Sequence, residues 1–108
     1  MSAPLSVVFA RSDRMVGRRV GEEYLLVPLA GRGADLDSIL NLNRVGAFIW
    51  ENLDGRRRGD EVVEALVVQF DVDLPRASRD YLDFLEQLRE RRAVVPVSPS
   101  VDSPISGR

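Results

Sequence analysis

The sequence predicts an α+β fold, a winged helix-turn-helix with an N-terminal three-stranded antiparallel sheet packed on three helices. Three observations lead there. Short β-rich runs separated by turn residues fill residues 14–42. Apolar residues at helical spacing then recur in successive blocks between Arg44 and Arg91. A short Ala93-Val94-Val95 run follows the last block, in the place of a wing strand.

Each element has a local reason. Residues 1–13 read as a flexible lead-in whose Val7-Val8-Phe9 patch is either a fraying strand or an interaction tag, the strand being favoured. From Arg14 to Leu29 the chain reads as a hairpin that turns at Gly21-Glu22-Glu23 and returns through Tyr24-Leu25-Leu26-Val27. Pro28 cannot donate to a ladder and so belongs at the strand end or on an outward edge. After the glycine-bearing loop 30–35, Asp37 to Leu42 alternates, with Ser38, Leu40 and Leu42 on one face and Asp37, Ile39 and Asn41 on the other. This is a third, short edge strand.

Asn43 stands immediately before the next apolar-periodic run, where its side-chain oxygen can accept a first-turn amide hydrogen. A helix over 44–52 follows, with Val45, Phe48 and Ile49 on one stripe, the only tryptophan (Trp50), and an Asp54-Gly55 stop. The second helix spans 61–69, its stripe made of Val62, Val63, Leu66, Val67 and Phe70. The third spans 75–91, capped by Asp73, with Pro75 in the first turn where a missing amide costs nothing. Ala77, Tyr81, Phe84, Leu85 and Leu88 form its core face. The domain is expected over 14–95, and the Pro- and Ser-rich residues 96–108 read as a disordered tail.

Composition removes much chemistry. At 108 residues the chain has room for one modest core. It contains no cysteine, histidine or lysine, so every basic residue is arginine. Thiolate and imidazole ligation, thiol nucleophiles, Schiff bases and the commonest neutral-pH general base are therefore excluded. Carboxylates, hydroxyls and two tyrosines remain. No enzyme is expected, and no metal or cofactor. No apolar run is long enough to span a bilayer. The N-terminus lacks the basic segment of a signal peptide, and the expectation is a cytoplasmic protein without a membrane partner.

LNLNRVGAFIWENLDG, followed by DEVVEALVVQFDVD and ASRDYLDFLEQLRERRAVV, resembles the PqqD family, also called RiPP recognition elements. The similarity runs from about Met15 to Val95 and includes Asp80, where the family usually has an Asp. Gly59 departs from the usual hydroxyl or acidic residue, and Arg92-Ala93 replaces the glycine common before the terminal strand.

The resemblance implies capture of the leader segment of a ribosomally made precursor peptide, added as a strand beside the third strand. The leader would then be presented to a separate modifying enzyme, a radical-SAM maturase in the PqqD branch. The implied peptide-binding residues are Asp37, Ser38, Ile39, Leu40, Asn41 and Leu42 on the edge strand. Arg79, Leu82, Asp83 and Glu86 on the third helix make the facing wall. Strand addition draws affinity from main-chain bonds and selectivity from alternate side chains. Ordering a free leader costs several kcal/mol, so micromolar affinity, about −8 kcal/mol, is expected. Monomer and homodimer are both open.

Competing readings are specific. Trp50 fits a core position better than a contact, whereas Ile39, an outward apolar residue on an edge strand, either contacts a ligand or lies under the preceding loop. Arg56-Arg57-Arg58 could hold phosphate, but a solvated connector explains it more simply. The alternative function is a winged-helix DNA-binding transcriptional regulator. A net charge of −2, with Asp80, Asp83 and Glu86 on the helix that would enter the groove, argues against nucleic acid as a partner.

Overall fold

The hairpin turn at residues 21–22 needs a left-handed residue, and Gly21 supplies it at φ 63°. In the computed structural model, which describes residues 3–29 and 39–97, this turn joins β2 (Met15–Val20) to β3 (Glu23–Pro28). A four-residue helix, α1 (Ala3–Ser6), and a strand, β1 (Val8–Arg11), precede them. There follow β4 (Leu40–Leu42), α2 (Arg44–Asn52), β5 (Asp54–Arg58), α3 (Gly59–Phe70), α4 (Leu74–Glu90) and β6 (Val94–Val97).

The strands form two three-stranded antiparallel sheets, ordered β2-β3-β4 and β5-β1-β6. In the first, Met15 lies opposite Pro28, Gly17 opposite Leu26, and Leu26 opposite Leu40. Residues opposite one another share a face, so Met15, Leu26 and Leu42 point together into the core, where all are buried. Pro28 ends its strand, as its missing amide requires.

The second sheet corrects the expectation for both ends of the chain. Val8 and Phe9 lie in a strand, the favoured reading of their patch, but residues 8–11 are neither fraying nor part of a flexible lead-in. They form the central strand, with Val8 to Arg11 opposite Val97 to Val94 on one side and Val8 opposite Arg58 on the other. Phe9 is 3% exposed. Ser12 ties the strand's end to the turn after α4, its hydroxyl donating to the Arg92 carbonyl at 2.8 Å. Pro96 does not break β6 but sits within it, opposite Phe9, on an edge strand that tolerates a missing donor. Residues 98–108, expected as a disordered tail, lie outside the described residues.

The helices keep their expected caps. The Gly46 amide donates to Asn43 Oδ1 at 2.8 Å and the Arg76 amide to Asp73 Oδ1 at 2.9 Å. α2 ends at Asn52, capped by Leu53 before the expected Asp54-Gly55 stop, and Gly55 spends its φ of 79° inside β5 instead. A Cβ there would stand 3.4 Å from that of Ala10. α3 begins at Gly59, two residues earlier than its apolar stripe suggests, because the Arg58 amide donates to the Glu61 carboxylate and the Gly59 amide to the Val7 carbonyl. Arg92 adopts a left-handed φ of 57°, the backbone reason for the glycine expected near that position.

One core joins the layers. Ile49, Trp50 and Leu53 of the α2 segment pack with Val62, Val63 and Leu66 of α3 and with Tyr81, Leu85 and Leu88 of α4. Trp50, 3% exposed, is a core residue. It reaches across Gly17, where a Cβ would come within 2.5 Å of Tyr24 Oη and 2.9 Å of Trp50 Nε1. Glycine is what lets this sheet close on α2.

Candidate peptide-binding site

β4 is three residues long and lies at the end of its sheet, so one side bonds to β3 and the other has no strand partner among the described residues. Shortness is the usual protection of such an edge against indiscriminate pairing. Leu40 and Leu42 face inward, half-buried and buried respectively, while Asn41 is exposed. Ile39 precedes the strand and, by alternation, shares the outer face with Asn41; it is half-buried. Asp37 and Ser38 lie outside the described residues.

Gly46 connects this edge to α4. A Cβ at Gly46 would stand 3.5 Å from Leu42 Cβ and 3.6 Å from Phe84 Cε1, so the end of β4, the first turn of α2 and the middle of α4 meet there. Along α4 runs a hollow of about 610 Å3 lined by Leu82, Leu85, Glu86, Arg89 and Glu90. Its apolar floor comes from Leu82, half-buried, and Leu85, buried. The guanidinium of Arg89 lies 5.8 Å from the Phe9 ring, which fixes that side of the rim.

The four expected wall residues do not form one surface. Leu82 and Glu86 line this hollow, whereas Arg79 lines a separate one with Pro75, Arg76 and Asp80. Asp83 is exposed and lines neither. Leu85, Arg89 and Glu90 also line the hollow and are not among the expected wall residues. Their signal was present in the sequence, since positions 82, 85, 86 and 89 follow the three-and-four spacing of a single helix face. Leu85 belongs to the expected core face of α4 and also lines the hollow.

The triple arginine has mostly local partners. Arg57 bonds to Asn52 and pairs with Asp54 at 3.2 Å, and Arg58 pairs with Asp60 at 3.1 Å. Burial alone would raise the Asp54 carboxyl. The Arg56 and Arg57 amides, with the Arg57 guanidinium, outweigh it and hold the group below the usual carboxylate range. Burial, assisted by the Glu51 carboxylate, raises Tyr24. Tyr81, buried in the core with its hydroxyl unpartnered among the described residues, is pushed up to about 12. Among the described residues there is no cluster able to hold a metal ion, and no helix is long and apolar enough to cross a membrane. On α4, Asp80, Asp83, Glu86 and Glu90 interrupt Arg76, Arg79 and Arg89, so no continuous basic face is offered to phosphates.

Residues 23–94 match the family described as Coenzyme PQQ synthesis protein D (PqqD). The chain belongs to the PqqD family. The PqqD match runs from β3 into β6, and so takes in the open edge of β4 and the whole of α4, leaving β1 and β2 before it. A solved structure described as TbiB1 in complex with the TbiA(beta) leader peptide is similar to this PqqD-family chain. The two share 29% identity with a TM-score of 0.63, over 79% of this chain and 93% of the other. No curated protein matches the chain.

Proposed function

We propose that this chain captures the leader segment of a ribosomally made precursor peptide as an added strand on the open edge of β4 and presents it to a separate modifying enzyme. The observation that carries this is the edge itself, a three-residue strand with one side open, joined through Gly46 and Phe84 to a helix that also bears a hollow with an apolar floor and charged rim. The similarity to a domain solved with a leader peptide supports it.

In this reading the main chain of Leu40 to Leu42 supplies the ladder bonds. Ile39 meets the leader at the strand's outer face. Leu82 and Leu85 receive an apolar leader side chain, while Glu86 and Arg89 select charged neighbours. The domain acts by holding the peptide, with no catalytic step of its own. A radical-SAM maturase in the cytoplasm is the partner that the PqqD branch suggests.

The experiment is calorimetric titration with the leader of the precursor encoded beside this chain. Micromolar binding is expected, and Ile39→Asp should weaken it about tenfold with the melting temperature unchanged, because a carboxylate would be forced into an apolar strand contact. Unaltered affinity would remove Ile39 from the site. Absence of binding by the unmodified domain would contradict leader capture.

A further inference from the structure

We infer that the leader site continues past the C-terminal end of β4 into a second subsite, a trough between α2 and the end of α3 that takes an apolar side chain beside an acidic one. This rests on β4 being the strand that receives the leader.

Continuity is the first ground. β4 offers only three residues, about 10 Å at 3.3 Å per residue, against the 5–6 residues of a common strand. A peptide paired there runs off the edge at Leu42 and Asn43. Two hollows begin at those residues. One, of about 400 Å3, is lined in part by Tyr24, Leu42, Ala47 and Phe48, and the other, of about 550 Å3, by Val45. Both also include Asn43, Arg44, Gln69 and Phe70, so they form a single trough.

Shape and charge are the second ground. Phe48 and Phe70 meet edge to face, with centroids 5.5 Å apart at 88°, and both rings are half-buried. This makes a rigid apolar floor against which a side chain can dock without reordering the protein. Of the charged groups on the rim, Arg19 lies 5.4 Å over the Tyr24 ring and Glu51 faces the Tyr24 hydroxyl, so these three engage one another. Glu22 is exposed at the hairpin turn. Arg44 is exposed and makes no ion pair with any described residue. It is the rim charge left for a peptide carboxylate.

The probe is a randomised peptide library displayed on phage, selected in parallel on the intact chain and on Arg44→Glu. Binders of the unmodified chain are expected to share an alternating apolar segment flanked on one side by an apolar residue next to Asp or Glu. Selection on Arg44→Glu should keep the segment and replace the acid with Lys or Arg. A peptide from the first selection should lose about fivefold in affinity for Arg44→Glu, the scale of an exposed ion pair turned repulsive. Exchanging its acid for Lys should restore that loss. Binders with the alternating segment but no flanking preference, or with equal affinity for both proteins, would overturn the subsite and leave the β4 reading intact. Binders without an alternating segment, or no binders at all, would overturn both.

Discussion

The two sheets of this small domain are built from the same antiparallel pairing and have opposite character. The β5-β1-β6 sheet gathers strands from residues 8–11, 54–58 and 94–97, so its ladders tie the start, middle and end of the described chain together. Its central strand contributes Phe9 to the core. The β2-β3-β4 sheet is a local meander that shrinks from six-residue strands to a three-residue edge. One sheet closes the fold, and the other ends where a peptide can begin. Under the proposed function, closure and capture fall to different sheets, so the β4 edge can stay short and open without loosening the core.

That division predicts where a mutation acts. Phe9→Ala removes a buried aromatic from the closing sheet and should lower stability by about 3–5 kcal/mol, read from denaturant unfolding. A near-neutral result would return residues 8–11 to the status of a loose lead-in. Gly17→Ala attacks the other sheet where it approaches α2. Its Cβ would sit 2.5 Å from the Tyr24 hydroxyl oxygen and 2.9 Å from Trp50 Nε1. Overpacking of this kind costs about 1–3 kcal/mol, and because Tyr24 pairs directly with Leu42, leader affinity should fall with it. Stability loss with full affinity would separate the binding edge from the Gly17 contact.

The smallest effect concerns acid. Asp54 in β5 has a carboxyl held below its ordinary range, so its contribution to folding is present above the unfolded-state pKa and is lost as the pH falls through the lower folded-state value. Asp54→Asn should therefore flatten the acid limb of the stability profile and leave neutral leader binding alone. An unchanged acid limb would show that the Asp54 contacts carry no stability.

Much of this was legible in the residues, and the failures have a common cause. The caps at Asn43 and Asp73, the helical stripes and the Gly21 hairpin are local signals, readable because a side chain bonds or packs within a few positions of its own backbone. In the closing sheet, β1 and β6 each show a short apolar run in the sequence, but β5 shows none. β5 reads Asp-Gly-Arg-Arg-Arg, with no apolar alternation, and is a strand only because β1, more than forty residues away in sequence, pairs with it. Pro96 looked like a terminator until its place opposite Phe9 on an edge was known. At the candidate site, the edge strand follows from alternation; of the expected helix wall, Leu82 and Glu86 line the hollow, together with Leu85, Arg89 and Glu90, while Arg79 and Asp83 do not. Helical spacing names a face. Only packing says how much of that face remains open.

The central claim is that the leader joins β4 rather than either edge of the closing sheet. Backbone amide NMR during titration with the leader of the precursor encoded beside this chain tests it most directly. Shifts and new exchange protection are expected at Ile39 to Leu42 and at Leu82 to Glu90, with β5 and β6 unchanged. Protection gained along Asp54 to Arg58 or Val94 to Val97, with β4 silent, would contradict the account.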